Sequence, residues 1–289
     1  MQVTDIDHEL DLARAQGPVR DIVIPPCPEL LRALQQEMRG VDPDPAEITR
    51  IAACDVAMSA ALLRTANSPY YARARPVHTV TEAVTMLGLA QAAAILTGFL
   101  TRNAIRINSP LVEHFWETST RRSLAMGYIA RQLYGLDAEI AQTCGLFMHV
   151  GIPIMLQGLR GYAGTLAEAM ARQDRSFTDT ENAVHRTDHA VVGAIVARTW
   201  HLPPVIAHAV RLHHDFTALK ASAIPADIRA LVAVAAVAEH LVANFEGVEL
   251  QPEWKRYGPV CLHHLQIGLA EVDSWVDALH PVFDEVLLA

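Results

Sequence analysis

The sequence predicts an all-α protein that folds as one compact body. Apolar residues recur at helical spacing along most of the 289 residues, helix-start signals are frequent, and no segment alternates between apolar and polar residues as a half-buried strand does. Hydrophobic residues make up 51% of the chain and charged residues 19%. This composition is sufficient for a sizeable core.

Start signals along the chain place the individual helices. A capping residue followed by proline, or by glutamate three positions later, is typical of a helix N-terminus. The helix that opens at Ser109–Pro110 is expected to be the longest and to end near Tyr134. A last helix pair is expected over residues 260–288. The predicted starts are Asp44–Pro45, Thr79 with Glu82, Ser109–Pro110, Asp137, Thr178 with Glu181, Asp188, Pro203–Pro204 and Pro225.

One stretch without charged side chains, residues 83–101, is long enough to cross a membrane. It is rich in alanine and contains Gln91, three threonines and two glycines. We therefore interpret it as two short buried helices that meet near Gly88, and we expect no membrane partner.

The charge balance and the cysteines narrow the classes of partner and location. The chain has 23 Lys and Arg against 32 Asp and Glu, a net charge of -9, which argues against a broad nucleic-acid surface. Its N-terminus is acidic and has no apolar signal core, so a cytoplasmic location is expected. The cysteines are far apart, form no CxxC motif and suit a reducing cytosol: Cys27, Cys54, Cys144 and Cys261.

Short motifs occur in a fixed order along the chain. They are IPPCP at 24–28, IAACD at 51–55, LLRTANSPYY at 62–71, PV at 76–77, AVTMLG at 83–88, FW at 115–116, the segment 145–151, DHAVVG at 188–193, WHLP at 200–203 and HH at 213–214. This set resembles the HDOD family, the HD-related output domains of bacterial signalling proteins, and LLRTANSPYY is its most specific piece. The resemblance implies an HDOD-like fold, with an N-terminal helical subdomain packed on an HD-domain-like helical half.

The domain organisation is expected to follow this resemblance. Residues 1–21 form an N-terminal extension and residues 22–216 the HDOD domain, with a soft boundary near residue 108 that separates 22–108 from the HD-like half, 109–216. Residues 217–289 are expected to add C-terminal helices that pack on the HD-like half.

The resemblance also implies kinship with HD-domain phosphohydrolases and cyclic-di-GMP phosphodiesterases, whose metal-ligand positions can be matched. They fall on Thr118, on the pair His149–Val150, on His189, on the pair His213–His214 and, loosely, on Ala236. A lysine position falls on Pro153. Because Val150 can neither ligate a metal nor balance its charge, the HD motif is degenerate and hydrolysis is not expected.

A weaker metal site remains open at the histidines alone. Imidazoles can hold zinc, nickel or copper without a carboxylate, so the ligands of such a site would be His149, His189, His213 and His214, with Asp215 adjacent. We nevertheless expect satisfied core or surface histidines, and therefore no metal and no cofactor.

Other polar residues are expected to have structural roles. His185 lies four residues before His189, but the Asp188 cap should break the helix between them. Glu239–His240 and His263–His264 are assigned to solvated or half-buried helix faces without partners. Cys144, in an apolar helix without a basic neighbour, reads as a core residue.

The segment 64–78 is interpreted in two parts. Asn67 and Tyr70 are expected to form a structural motif, in which the Asn67 amide acts as a buried polar lock. Tyr71, Arg73 and Arg75 are the expected partner-binding residues, since exposed tyrosine and arginine are enriched in interaction hot spots.

Three functions stay open. The first is a non-catalytic bacterial signal-transduction module that regulates through protein partners. The second is a metal-dependent phosphohydrolase or cyclic-nucleotide phosphodiesterase that uses the residual histidines. The third is a protein that senses a nucleotide second messenger without turnover. Metal content separates the second from the first, and nucleotide binding without turnover marks the third.

Overall fold

The computed structural model describes residues 2–69, 71, 76–107, 109–248 and 251–286. Helices, 3-10 turns included, account for 75% of the described residues, and the described ranges contain no strand, which confirms the predicted all-α class. The α-helices are α1 (Val3–Gln16), α2 (Glu29–Met38), α3 (Pro45–Ala53), α4 (Val56–Ala66), α5 (Val80–Leu87), α6 (Leu89–Ala104), α7 (Phe115–Gln132), α8 (Ala138–Phe147), α9 (Gly151–Gly158), α10 (Tyr162–Ala171), α11 (Phe177–His185), α12 (His189–Thr199), α13 (Pro204–Leu212), α14 (Ala226–Phe245), α15 (Pro252–Leu265) and α16 (Leu269–Glu285).

Contacts divide the chain into two compact units. The smaller unit comprises residues 25–106 and 280–289, and the larger comprises residues 1–24 and 107–279. In the smaller unit, α2 to α6 pack on one another around a core that includes Leu31, Ile51, Leu62 and Leu96, all without exposed surface.

The larger unit is built around α12, α13 and α14. Helices α9 and α13 pack on α12, while α14 contacts α7, α8 and α13 and carries α15 on its other side. Helix α7 packs closely against α8 at Gly145. A Cβ at this glycine would come within 2.9 Å of the α7 backbone, so only glycine allows this approach.

Helix α1 packs on α12 and α13 through both apolar and charged contacts. Its Ile6 and Leu10 side chains are buried. Its acidic residues pair with basic residues of the two helices: Asp7 with His208 at 3.0 Å, Glu9 with Arg211 at 2.6 Å and Asp11 with Arg198 at 2.8 Å.

Most of the predicted helix starts are confirmed. The side chains of Asp44, Thr79, Asp137 and Asp188 each accept a backbone N–H at the start of the expected helix. Thr79 and Glu82 form the expected reciprocal capping box.

Three element predictions are wrong. Ser109–Pro110 opens only a short 3-10 turn, Pro110–Val112, before α7 begins, and the longest helix is α14. Ser176, rather than Thr178, caps α11, because the Ser176 hydroxyl accepts the Asp179 N–H. The last helix pair begins at Pro252, eight residues before the expected position, since Pro259 is accommodated inside α15.

The uncharged stretch forms two helices that meet at Gly88, as predicted. Gly88 has φ +82°, and α5 and α6 are bent by 116° at this residue. Two other segments of the described chain, Ala138–Gly158 and Ala226–Phe245, are long and apolar enough to cross a membrane by length and composition. Within an apolar 18-residue window of each segment, the protein buries 72% and 56% of the residues, respectively.

Candidate metal centre

His149 lies in the turn between α8 and α9. Val150 N–H closes this turn by donating to the Phe147 carbonyl at 3.1 Å. The next residue, Gly151, has no room for a side chain, because a Cβ there would lie 2.1 Å from the carbonyl oxygen of His189. Glycine therefore lets the turn approach the start of α12.

His189 is the first residue of α12 and is fully buried. Asp188 caps the helix by accepting Val191 N–H at 2.9 Å, which fixes the position where the helix begins. The Glu181 carboxylate accepts the Nδ1–H of His189 at 2.7 Å and its backbone N–H at 3.2 Å. The ring is thereby held with Nε2 toward His149.

His213 and His214 directly follow α13. The Nδ1–H of His213 donates to the Val210 carbonyl at 2.6 Å. The Nδ1–H of His214 donates to the Glu253 carboxylate, whose two oxygens lie 2.8 and 2.9 Å away. Both rings turn Nε2 toward His189.

The inward-facing nitrogens of these residues form what we call the four-histidine cluster: His149 Nδ1 and the Nε2 atoms of His189, His213 and His214. The His189 nitrogen lies 3.0, 3.3 and 3.2 Å from the other three, and all four lie within 4.8 Å of one another. Nitrogens bound to one tetrahedral zinc ion at about 2.0 Å lie about 3.3 Å apart. The cluster therefore has the spacing of ligands that share one ion.

The outward-facing nitrogens determine where the ring protons lie. Each faces an oxygen acceptor, which for His149 Nε2 is the Glu239 carboxylate at 2.8 Å. Tautomers assigned from these acceptors place the protons outward and leave four lone pairs facing one another. Such lone pairs repel unless a cation lies among them, and an acceptor on the outer nitrogen is typical of histidines that bind metal.

Two of the four rings have a strong preference for the neutral form. Burial lowers the pKa of His149 well below its usual value, and the charge of Arg122 lowers it further. Burial likewise lowers the pKa of His213, as do the neighbouring histidines. Burial would also lower the pKa of His214, but the charges of Glu253, Glu239 and Glu181 together raise it above its usual value.

The charges around the cluster fit a divalent cation. Glu181, Glu239 and Glu253 face the outer nitrogens, and Arg122 pairs with Glu239. With neutral rings, three carboxylates and one guanidinium leave two formal negative charges beside the cluster, and Glu181, which has no exposed surface, is the carboxylate for which uncompensated charge is most costly. An all-imidazole donor set suits zinc, nickel or copper better than magnesium or calcium.

A buried tyrosine supports the cluster from inside the protein. The Tyr162 hydroxyl donates to Glu181, and both side chains are fully buried. Burial raises the pKa of Tyr162, and the Glu181 charge raises it further, so the phenol stays a donor. Glu181 thus receives hydrogen bonds from Tyr162 and from both N–H groups of His189.

Glu239 is one of the site residues that the sequence interpretation missed, as are Glu181, Glu253, Arg122 and Tyr162. The assignment of Glu239 to a helix face without partners is wrong: the side chain is 40% exposed, yet the carboxylate contacts His149 and Arg122. The position matched to a closing acid, Ala236, lies three residues earlier, nearly one helical turn. A carboxylate within the apolar run of α14 was the one signal that could have identified it.

Thr118 and Val150, which were matched to metal-ligand positions of HD-domain phosphohydrolases, and the adjacent Asp215 add no ligand to the inward nitrogens. The Thr118 hydroxyl donates to Glu246 at 2.8 Å. Val150 is fully buried among apolar side chains, and Asp215 accepts from the N–H and hydroxyl of Thr217.

His185 and Cys144 have the structural roles that were predicted. A left-handed residue and the Asp188 cap separate the helix of His185 from that of His189, and His185 Nε2 contacts the Thr165 hydroxyl at 2.9 Å. Cys144 is fully buried, and burial raises the pKa of its thiol.

Asn67 forms a polar lock, but an exposed one. Its side-chain amide donates to the Val77 carbonyl and accepts the Val77 N–H, both at 2.8 Å. The predicted hydrogen-bonded lock is present. The prediction that it is buried is wrong, because Asn67 is the exposed C-cap residue of α4.

The predicted partner surface is described only at Tyr71. This residue is half-buried, and its N–H donates to the Ser68 carbonyl at 3.0 Å. Tyr70, Arg73 and Arg75 lie outside the described residues.

Comparison with known proteins identifies the family. The profile of the HDOD domain matches residues 24–216, which is more than half of the sequence. The chain belongs to the HDOD family. The match includes all four residues of the four-histidine cluster and ends before Glu239 and Glu253.

Solved structures have the same fold as this HDOD protein. An HDOD domain protein of unknown function from Geobacter sulfurreducens is 21% identical, with a TM-score of 0.73 over 99% of this chain and 100% of that chain. A protein from Shewanella amazonensis SB2B, provisionally named a phosphohydrolase, is 18% identical, with a TM-score of 0.72 over 97% and 96%. A protein from Marinobacter aquaeolei VT8, provisionally named a signal transduction protein, is 16% identical, with a TM-score of 0.73 over 99% and 64%. At these identities the likeness concerns the fold.

A curated relative is longer than this HDOD protein. It is an uncharacterized protein of Treponema pallidum (strain Nichols), 23% identical over 229 residues. The match takes in 78% of this chain but only 43% of the relative, so the chain spans less than half of that protein's length.

The close approach at Gly151 should be required for folding of the larger unit. We expect Gly151→Ala to lower the free energy of unfolding by about 3 kcal/mol or more, because the added methyl group meets the His189 carbonyl and neither backbone can move freely. Gly164→Ala is the control, since its Cβ meets no atom within 4 Å and alanine favours the helix. Urea unfolding measures both, and equal stability of the two variants would contradict the described packing.

Proposed function

We propose that this HDOD protein is a non-catalytic, cytoplasmic module of bacterial signalling that acts through protein partners and holds one divalent ion at the four-histidine cluster. The observation that carries the metal assignment is the arrangement of four inward lone pairs, each fixed by an acceptor on the opposite ring nitrogen. Zinc, nickel and copper are the ions that suit such donors.

The same residues argue against hydrolysis. Catalytic zinc sites keep a fourth position open for water, whereas four rings would fill every position around a tetrahedral ion. Val150 contributes neither a ligand nor a charge, and Glu181, Glu239 and Glu253 contact the outer nitrogens of the rings. An ion held by four neutral rings would be positioned by the protein without a bridging carboxylate.

Metal content tests the first part of this proposal. We expect purified wild-type protein to retain about one zinc-class ion per chain after dialysis, because four pre-oriented imidazoles bind such an ion. His189→Ala should lose it, since this ring contacts the other three. His263→Ala, at an exposed position of α15, should keep it. Elemental analysis measures the ratio, and a metal-free wild type would overturn the assignment.

Activity assays test the second part. With manganese, iron or nickel added, we expect no cleavage of cyclic-di-GMP or of a simple phosphomonoester above the blank. The second candidate function, a metal-dependent phosphohydrolase or phosphodiesterase, is favoured by Glu239, a partly exposed carboxylate beside the cluster. Turnover that disappears in His149→Ala would establish it. Saturable nucleotide binding without turnover would instead support the nucleotide-sensing function.

Partner capture tests the regulatory part. We expect the double change Arg73→Glu and Arg75→Glu to leave the melting temperature nearly unchanged and to weaken association with a protein partner, because charge reversal disrupts arginine contacts at an interface. His149→Ala should leave this association intact. Quantitative pull-downs from the native cell measure both variants. If the arginine variant keeps its partners and His149→Ala loses them, the four-histidine cluster is the partner-binding site.

A further inference from the structure

Arg122, which is buried, and Glu239, which is partly exposed, form an ion pair at the edge of the four-histidine cluster. Arg122 Nε donates to Glu239 Oε1, and the same oxygen accepts His149 Nε2–H at 2.8 Å. The Arg122 side chain is only 5% exposed, whereas that of Glu239 is 40% exposed. The guanidinium thus holds a partly exposed carboxylate in a fixed position.

The position in which Glu239 is held matters for the donor set. Its oxygen contacts the outward nitrogen of His149, so a single imidazole ring separates the carboxylate from the inward nitrogens. While the carboxylate stays there, the inward donors are all nitrogen. Magnesium, calcium and manganese prefer carboxylate oxygen, whereas imidazole suits zinc, copper and nickel.

Stability alone does not account for this pair. Buried ion pairs often add little net stability, because desolvation offsets their attraction. Arg122 also carries a cost, since its buried Nη1 has no hydrogen-bond partner within the described ranges. An arginine that remains buried under these conditions is better explained by the position it imposes on Glu239.

We propose that Arg122 determines the class of ion that the cluster accepts, by keeping Glu239 on the outer side of His149 and out of the inward donor set. This inference rests on the proposed metal-binding function. Arg122 is then a positioning residue that favours zinc, nickel and copper over manganese, magnesium and calcium. Removal of Arg122 frees the carboxylate to join the donor set, which favours manganese more than zinc.

The test compares zinc and manganese dissociation constants, measured by chelator competition, for the full chain. In Arg122→Met the preference for zinc over manganese should fall by about tenfold or more, the range seen when outer partners of metal ligands are changed. Adding Glu239→Gln to this variant should restore most of the preference, because the amide replaces the carboxylate. Removing the positive charge of Arg122 should strengthen the binding of any divalent cation. The ratio of the zinc and manganese dissociation constants is used because this general gain affects both ions alike.

Arg121 supplies a matched control. It precedes Arg122 on α7, is equally buried and also pairs with a glutamate at the end of α14, Glu246, at 2.8 Å. Arg121→Met should leave the zinc-to-manganese ratio within about twofold of wild type, since the described contacts of this pair are with Phe245 and Thr118 rather than with the cluster. If Arg122→Met does not fold by circular dichroism, Arg122→Gln takes its place, and the ratio should change in the same direction.

The outcomes separate this inference from the proposed function. Wild-type protein that binds neither ion overturns the proposed metal site. Wild-type protein that prefers zinc, with an unchanged ratio in the Arg122 variant, overturns only the role of Arg122. A ratio that falls in the Arg122 variant and is not restored by Glu239→Gln also overturns it, because the effect then does not act through the carboxylate.

Discussion

The contact between Glu181 and His189 is the constraint on which the four-histidine cluster depends. Both side chains have no exposed surface, so the carboxylate must be satisfied by protein groups alone. Tyr162 and the two N–H groups of His189 do this, and in doing so they fix the ring and the start of α12 together. The fixed ring presents Nε2 in one direction, and the other three histidines place their inward nitrogens around that atom.

The sequence predicts where helices begin better than it predicts the surroundings of the four-histidine cluster. Capping by Asp44, Thr79, Asp137 and Asp188 is local, involving residues two or three positions apart, and it was identified correctly. The box at Thr178 fails because the fourth member, Glu181, has a stronger partner in His189 than in its own helix terminus. Local rules cannot detect a competitor that folding brings from another helix.

The same limit applies to the metal centre: the sequence motifs identify the histidines but not the carboxylates that accept from their outer nitrogens. The motifs name all four histidines, but their convergence depends on close packing at Gly151 and on helix directions that no spacing rule encodes. Glu239 and Glu253 lie 90 and 39 residues from their histidine partners. Both come from the helices after residue 216, so the segment beyond the family match completes the surroundings of the cluster. An interpretation restricted to the matched region would see the ligands without their acceptors.

The pairing of Asn67 with Val77 has a consequence for the residues between them. Two hydrogen bonds to one backbone position tie the end of α4 to the approach of α5 and close a loop of nine intervening residues. The entropy of loop closure is then lost during folding rather than during association, which lowers the ordering cost of any contact that the loop makes. The two described anchors, Asn67 and Val77, therefore set the separation between the end of α4 and the approach of α5 before any partner is bound.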